Sequence, residues 1–167
     1  MRRTAANLIF LICLSCSALG QAIEAGWKGV LPLVSSKSDV EKAYGKPERV
    51  DDNGYYSYRM ADSFVQVNYA TEPCRPNQYN RGRFNVPANT VLDVWVSIHK
   101  TILLKELKYD GSKYLRDASG HTGVFHYVNR ESSIMISTSI QDAESNEYVG
   151  RIEYRAAERL KTKFACD

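Results

Sequence analysis

One short segment of the chain alternates positively charged and aromatic side chains, and these residue types are suited to holding another molecule. Guanidinium groups make charge-assisted hydrogen bonds to anionic groups, while aromatic rings offer apolar area and attract cations. The segment carries Arg75, Tyr79, Arg81, Arg83 and Phe84. We predict that these five residues form a binding surface for a protein or glycan partner in the cell envelope. The alternative is a solvated loop whose aromatic rings fold back onto the domain.

Sequence patterns that indicate catalysis are weaker than this pattern of cationic and aromatic residues. None of the serines lies in a G-x-S-x-G turn, and no pattern places one beside a histidine and an acid. Asp51 and Asp52 directly precede Asn53-Gly54, so a turn explains these acids better than acid–base chemistry does. We therefore predict a non-enzymatic protein. The alternative is a hydrolase whose site is assembled from residues distant in sequence.

The three histidines, His99, His121 and His126, are the candidate metal ligands. His121 and His126 are five residues apart, so they would point to opposite faces of any strand that contained both. The sequence also has neither the spaced acids of a calcium loop nor a phosphate-binding glycine loop. We predict no metal site and no cofactor.

The N-terminus is organised like a secretory signal peptide. Arg2 and Arg3 precede an apolar stretch, and Gly20-Gln21-Ala22 suits cleavage before Ile23. The apolar part is about a dozen residues long, which is short of the roughly 20 that span a bilayer. We predict a signal peptide at residues 1–22 and a periplasmic or secreted protein.

The mature chain, residues 23–167, is then expected to form a single domain with no transmembrane segment. Two alternatives stay open for the N-terminus. One is an uncleaved membrane anchor, and the other is a lipoprotein acylated at Cys16.

The net charge indicates which class of partner is improbable, and the cysteines indicate a disulfide. The chain has 22 Lys+Arg against 19 Asp+Glu, so losing Arg2 and Arg3 lowers its net charge from +3 to +1. A balance this weak argues against a nucleic-acid partner. Of the four cysteines, only Cys74 and Cys166 follow the signal peptide. In an oxidising compartment we predict a disulfide between them, closing a loop of 92 residues.

One helix is predicted after residue 35. Two overlapping capping boxes, Ser36 with Asp39 and Ser38 with Glu41, leave its first residue open. The apolar residues Val40, Ala43 and Tyr44 share one face at helical spacing. Gly45 and Pro47 then end the helix, and Gly45 is expected to have a positive φ.

Most of the remaining chain alternates apolar and polar residues, as half-buried strands do. Asp52-Asn53-Gly54 predicts a hairpin turn, and Trp95 lies on the strand face opposite the core residues Val94 and Val96. Residues 70–90 are predicted to form a long loop and 156–164 a short closing helix. Strands are predicted at residues 55–60, 64–69, 91–98, 124–128, 134–140 and 148–154.

With 44% hydrophobic and 25% charged residues, the composition is that of a globular domain. The predicted fold is α+β, with an antiparallel sheet of six or seven strands and a short helix packed on one face. A weak internal repeat in the sequence gives an alternative interpretation, in which the chain consists of two tandem helix-hairpin units. In that repeat, three residues of the first half correspond in order to three of the second half: Tyr44 to Tyr114, Tyr58 to Tyr127 and Phe64 to Ile134.

Residues 27–47 carry a likeness to known proteins. The W-x-G-V-x-P-L-x-S start and the D-V-E-x-x-x-G-x-P helix resemble a group of small exported bacterial proteins of unknown function. The helix motif is also similar to that of the small lipoprotein of the outer-membrane barrel-assembly machinery and of the β-lactamase inhibitor protein. This resemblance implies a helix packed on an antiparallel sheet, and it transfers no functional residue.

Overall fold

The computed structural model describes residue 23 and residues 26–76, 82–142 and 144–166. The predicted signal peptide at residues 1–22 therefore lies outside the described residues, as do Tyr79 and Arg81. No helix in the described ranges is both long and apolar enough to cross a bilayer.

The predicted helix forms at Lys37–Tyr44 (α1), and the first of the two capping boxes starts it. The Asp39 amide donates to Ser36 Oγ at 3.3 Å, and the Ser36 amide donates to the Asp39 carboxylate at 2.8 Å. The hydrogen bonds from the Ser36 amide and hydroxyl lower the pKa of Asp39.

The buried face of α1 is narrower than predicted. Val40 and Tyr44 are buried, as expected, whereas Ala43 is exposed. Residues 43 and 44 lie roughly 100° apart around a helix, and the sheet contacts the side on which Tyr44 lies. Ala43 is therefore wrongly assigned to the buried face.

The end of α1 yields a stability prediction. Gly45 has φ +85° and ψ −164°, a combination that glycine alone adopts readily. A Cβ added there would meet nothing within 4 Å, so Gly45→Ala acts through backbone strain alone. We expect a loss of about 1–3 kcal/mol in urea unfolding. Gly150→Ala is the control because its φ is not positive and its nearest contact is an ordinary 3.9 Å. Equal effects of the two substitutions would contradict this account of the helix end.

Eight antiparallel strands form one sheet, so the predicted count of six or seven is wrong. The two strands that sequence analysis missed are the short edge strands, β1 and β5. Every residue in both is exposed, so neither shows the alternation that reveals a half-buried strand. In chain order the strands are Arg49–Val50 (β1), Tyr55–Arg59 (β2), Ser63–Tyr69 (β3), Val91–Ile98 (β4), Leu115–Ala118 (β5), Val124–Asn129 (β6), Ile134–Ile140 (β7) and Glu147–Tyr154 (β8).

The sheet consists of two four-stranded meanders joined side by side. Its strand order is β1-β2-β3-β4-β8-β7-β6-β5, so β4 and β8 form the seam. Trp95 in β4 pairs with Glu153 in β8 across that seam. The strand pattern repeats between the halves, but the second half has 3₁₀ turns at Leu104–Glu106 and Gly111–Lys113 where the first has α1. The prediction of two tandem helix-hairpin units stays a prediction.

One face of the sheet carries the main apolar core. Val65, Val94, Val96 and Ile152 on this face are fully buried, and α1 contributes Val40 to the same cluster. Buried tyrosines extend the core. The hydroxyls of Tyr58 and Tyr69 lie 2.8 Å apart, and Tyr44 donates to the carbonyl of Trp27 at 2.6 Å. Burial raises the pKa of all three tyrosines above the ordinary value of a tyrosine.

In the second half, a carboxylate links all four strands. Glu147 of β8 accepts hydrogen bonds from Thr138 of β7 at 2.8 Å, from Tyr127 of β6 at 2.8 Å and from Arg116 of β5 at 3.0 Å. Desolvation works against the charged form, but these three donors outweigh it and lower the pKa of Glu147. The carboxylate therefore stabilises the second meander with hydrogen bonds and an ion pair.

The predicted disulfide is present. Cys74 and Cys166 are bonded, with their Cα atoms 5.7 Å apart. The closing helix also forms, at Glu158–Lys163 (α2). Together they bring the loop after β3 against the C-terminus, where a second apolar cluster forms. Its buried members are Leu33, Ala70, Phe84, Val86 and Ala156, and Leu92, Leu160 and Phe164 pack against them.

Candidate functional site

The five residues of the predicted binding loop have different environments. Arg75 and Arg83 are exposed, and Arg75 lies 3.5 Å from Glu72 in a surface ion pair. Phe84 is 8% exposed and packs in the second apolar cluster, so its ring serves the fold. Tyr79 and Arg81 lie outside the described residues. Partner contact through this loop stays a prediction, now supported by exposed side chains only at Arg75 and Arg83.

Backbone hydrogen bonds fix the described part of this loop against the C-terminus. The Cys74 amide donates to the Phe84 carbonyl at 2.9 Å, and the Asn85 amide donates to the Phe164 carbonyl at 2.7 Å. A cavity of about 620 Å³ lies beside the loop, with Tyr56, Asn68 and Arg75 among its lining residues.

Of the two acids near the first hairpin, Asp51 has the structural role that the sequence favoured. The Asp51 carboxylate accepts hydrogen bonds from the amides of Asn53 and Tyr55, both at 2.9 Å. Gly54 completes the turn with φ +77°. Within the described ranges, no three His, Cys, Asp or Glu side chains are grouped so as to hold a metal ion.

One histidine does contact a serine. His126 Nδ1 and Ser137 Oγ are 3.1 Å apart on neighbouring strands, and Asp117 is paired opposite His126 on the other side. Among the described residues, the hydrogen bond to Ser137 is the only side-chain hydrogen bond of this imidazole. Since a catalytic base needs a third group to orient it, the arrangement is an incomplete version of the serine–histidine–acid pattern.

These residues belong to a continuous row on the sheet face opposite the main core, which we call the open row. It crosses seven strands through direct register pairs, and each of its seven residues is partly or fully exposed. Other residues on this face are buried, so the exposure belongs to the row and not to the whole face; the buried ones are Tyr55, Ser57, Asn68, Asp93 and Glu153. The open row consists of Arg59, Phe64, Ser97, Arg151, Ser137, His126 and Asp117.

Trp95 lies on the same sheet face as the open row. On that face, its pair with Glu153 is adjacent to the pair that Ser97 of the open row makes with Arg151. Its ring centroid is 5.2 Å from that of Tyr55, and the Arg151 guanidinium carbon is 5.4 Å from the centroid of the Trp95 ring. Trp95 is partly exposed, Arg151 is exposed and Tyr55 is buried. We call these three residues the Trp95 cluster. They place an aromatic pair and a cation at the seam of the sheet.

A group of buried polar residues supports the Trp95 cluster from the same face. Asp93 is 1% exposed and Glu153 is 4% exposed, and the Asn68 amide group donates to Asp93 at 3.5 Å. Arg155 donates to Glu153 at 2.8 Å, and this hydrogen bond raises the pKa of Arg155. Since buried carboxylates require partners, these contacts stabilise the two acids beside Trp95: the first joins β3 to β4, and the second lies at the end of β8.

The chain matches no protein-family model, and no match is found among curated proteins or among solved structures.

Proposed function

We propose that this chain is an exported, non-enzymatic binding protein that acts in the periplasm or outside the cell, and that it holds a protein partner on the open row and the Trp95 cluster. The observation that carries the proposal is the Trp95 cluster itself, which lies beside an open row whose residues are partly or fully exposed on every strand from β2 to β5 in the sheet order.

The residue types of the Trp95 cluster favour a protein partner. Trp and Arg are among the residues most enriched where a few side chains dominate the binding energy of protein interfaces, and Trp95 and Arg151 are the accessible members of the cluster. Tyr55 is buried, so it supports the Trp95 ring and does not contact the partner. Trp95 and Tyr55 have few rotatable bonds, and both are held by paired strands. Little conformational entropy is therefore lost when a partner binds.

The dimensions of the surface also suit a protein. Adjacent strands are about 4.8 Å apart, so a row across seven strands spans roughly 29 Å. A patch of that width accommodates the roughly 800 Å² that each partner contributes to a standard interface.

The charge of Arg151 suggests one property of the partner. Arg151 is exposed, and no described residue forms an ion pair with it. A carboxylate on the partner could therefore pair with this guanidinium beside the Trp95 ring. We expect the partner to present an acidic side chain near the centre of the contact.

Site-specific photo-crosslinking in the producing cell tests this proposal. A photoreactive phenylalanine replaces Phe64 in the open row, Val34 outside it, or Arg83 in the loop. Val34 is a suitable control because it is a hydrophobic residue with 61% exposure. We expect a protein adduct from position 64 and none from position 34. An adduct only from position 83 would contradict the open row and support the loop, and an adduct only to a glycan would contradict a protein partner.

The hydrogen bond between His126 and Ser137 favours a second candidate function, ester or amide hydrolysis with Ser137 as nucleophile. A fluorophosphonate probe separates the two functions because it labels activated serines. We expect the wild-type chain to stay unlabelled. Labelling that disappears in Ser137→Ala would support the hydrolase and contradict the non-enzymatic proposal.

A further inference from the structure

A cavity of about 410 Å³ lies on the core side of the sheet, away from the open row. Its walls come from the segment that precedes α1, from the end of β4, from the connection after β4, and from β8. The volume is within the range of small-molecule sites in proteins, which is roughly 300–1,000 Å³. Its apolar wall residues are Ile23, Trp27, Ile98, Ile102, Leu107 and Val149.

One wall is preformed by a tight turn before α1. The Gly26 amide donates to the Ile23 carbonyl at 3.1 Å, and the Val30 amide donates to the Trp27 carbonyl at 3.1 Å. Gly26 has φ +80°, and a Cβ on it would lie 2.2 Å from the Val30 carbonyl oxygen. Only glycine fits this turn, which places Trp27 in the cavity wall.

The opposite wall is also fixed by hydrogen bonds. The Val149 amide donates to the Ile102 carbonyl at 2.9 Å, which joins the connection after β4 to β8. The Leu103 amide donates to the Glu106 carboxylate at 3.0 Å and closes a 3₁₀ turn. Because both walls are fixed in this way, a ligand would find the cavity already formed.

The rim of the cavity is positively charged overall. Lys28, Lys100 and Lys108 line it and are exposed, and none of them forms an ion pair with a described residue. Two acids also line it: Asp62 accepts from the Ser63 hydroxyl at 3.2 Å, and Glu106 accepts from the Leu103 amide. Three lysines against two carboxylates leave a net charge of +1. The rim therefore attracts an anion, while the walls offer apolar contact.

We propose that this cavity binds a single-chain amphiphile with an anionic head, of the class of free fatty acids. Its acyl chain would lie between Trp27, Ile102 and Leu107, and its carboxylate would lie among the three lysines. Burial of the acyl chain provides the driving force, and the lysines select for negative charge. This inference is independent of the proposed partner surface because the two sites share no residue.

The two tryptophans allow a direct test, since Trp27 lines the cavity and Trp95 lies on the opposite face. In Trp95→Phe, the fluorescence of Trp27 should change saturably on titration with dodecanoate below its micellar concentration. In Trp27→Phe, the fluorescence of Trp95 should not change. A response in neither variant, or an equal response in both, would overturn the proposal. If Trp27→Phe does not fold, calorimetric titration of the wild-type chain with dodecanoate replaces it, and the absence of saturable heat would overturn the proposal.

Charge and wall variants then test the class of ligand. Dodecanoate should bind at least tenfold more tightly than dodecyltrimethylammonium, which has the same chain length and the opposite charge. Lys100→Ala with Lys108→Ala should weaken dodecanoate binding roughly fivefold, because exposed ion pairs contribute modestly to affinity. Lys105→Ala is the matched control, since Lys105 does not line the cavity. Ile102→Glu should abolish binding by placing a carboxylate in the wall. Equal binding of the cationic amphiphile, or unchanged binding in Ile102→Glu, would overturn the assignment.

Discussion

Replacing both Cys74 and Cys166 with serine should lower the free energy of unfolding by about 4 kcal/mol, because the bridge closes a loop of 92 residues. In the chain-entropy model, closing a loop lowers the conformational entropy of the unfolded state, and a longer loop lowers it more. The second apolar cluster should also loosen, since the disulfide holds its loop beside the C-terminus, where Phe84 and Ala165 pair as an isolated β-bridge. Urea unfolding of the double variant against the oxidised wild type measures the difference.

The reduced wild-type chain is the matched control for this experiment. It has the same broken bridge without a change of residue, so it should unfold at nearly the same urea concentration as the double variant. Identical midpoints for the oxidised and reduced wild type would show that the disulfide does not stabilise the fold.

Val40→Asp should lower the free energy of unfolding by about 4–5 kcal/mol or prevent folding. Val40 is fully buried between α1 and the sheet, so the substitution removes apolar contacts and buries a carboxylate without a partner. Val40→Ala, which loses contacts only, should cost about 2 kcal/mol and remains measurable. Urea unfolding followed by circular dichroism gives both values.

Ala43→Asp is a close control, because Ala43 lies on the same helix and is exposed. It introduces the same charge on a side of the helix that faces away from the sheet and should change stability by less than about 0.5 kcal/mol. If Ala43→Asp were as damaging as Val40→Asp, the assignment of the buried face would be wrong.

Local patterns predicted much of the fold. The Ser36 cap, the positive φ of Gly45 and the alternating strands depend on residues a few positions apart, and each appears as expected. The edge strands β1 and β5 were missed because they are short and exposed on both faces. Phe84 was assigned to a binding surface because it alternates with arginines in the sequence, whereas its packing partners Ala156 and Phe164 are distant in sequence.

The candidate site shows the same division between local and long-range information. Alternation in β4 predicted that Trp95 lies opposite the core, and the structure confirms it. The approach of Arg151 to Trp95 depends on the pairing of β4 with β8, which joins the two halves of the chain. The contact of His126 with Ser137 likewise depends on the register between β6 and β7. The export signal and the resemblance of residues 27–47 stay predictions.

The central claim, that the open row and the Trp95 cluster hold a protein partner, is tested most directly by affinity measurements with the partner captured through position 64. Trp95→Ala should raise the dissociation constant at least 30-fold, as expected for a residue that contributes about 2 kcal/mol to binding. Arg151→Ala, at an exposed position that leaves the fold intact, should raise it roughly tenfold, whereas Arg83→Ala in the loop should leave it within about twofold. Unchanged affinity in folded Trp95→Ala and Arg151→Ala, with binding lost in Arg83→Ala, would contradict the claim and assign the partner to the loop.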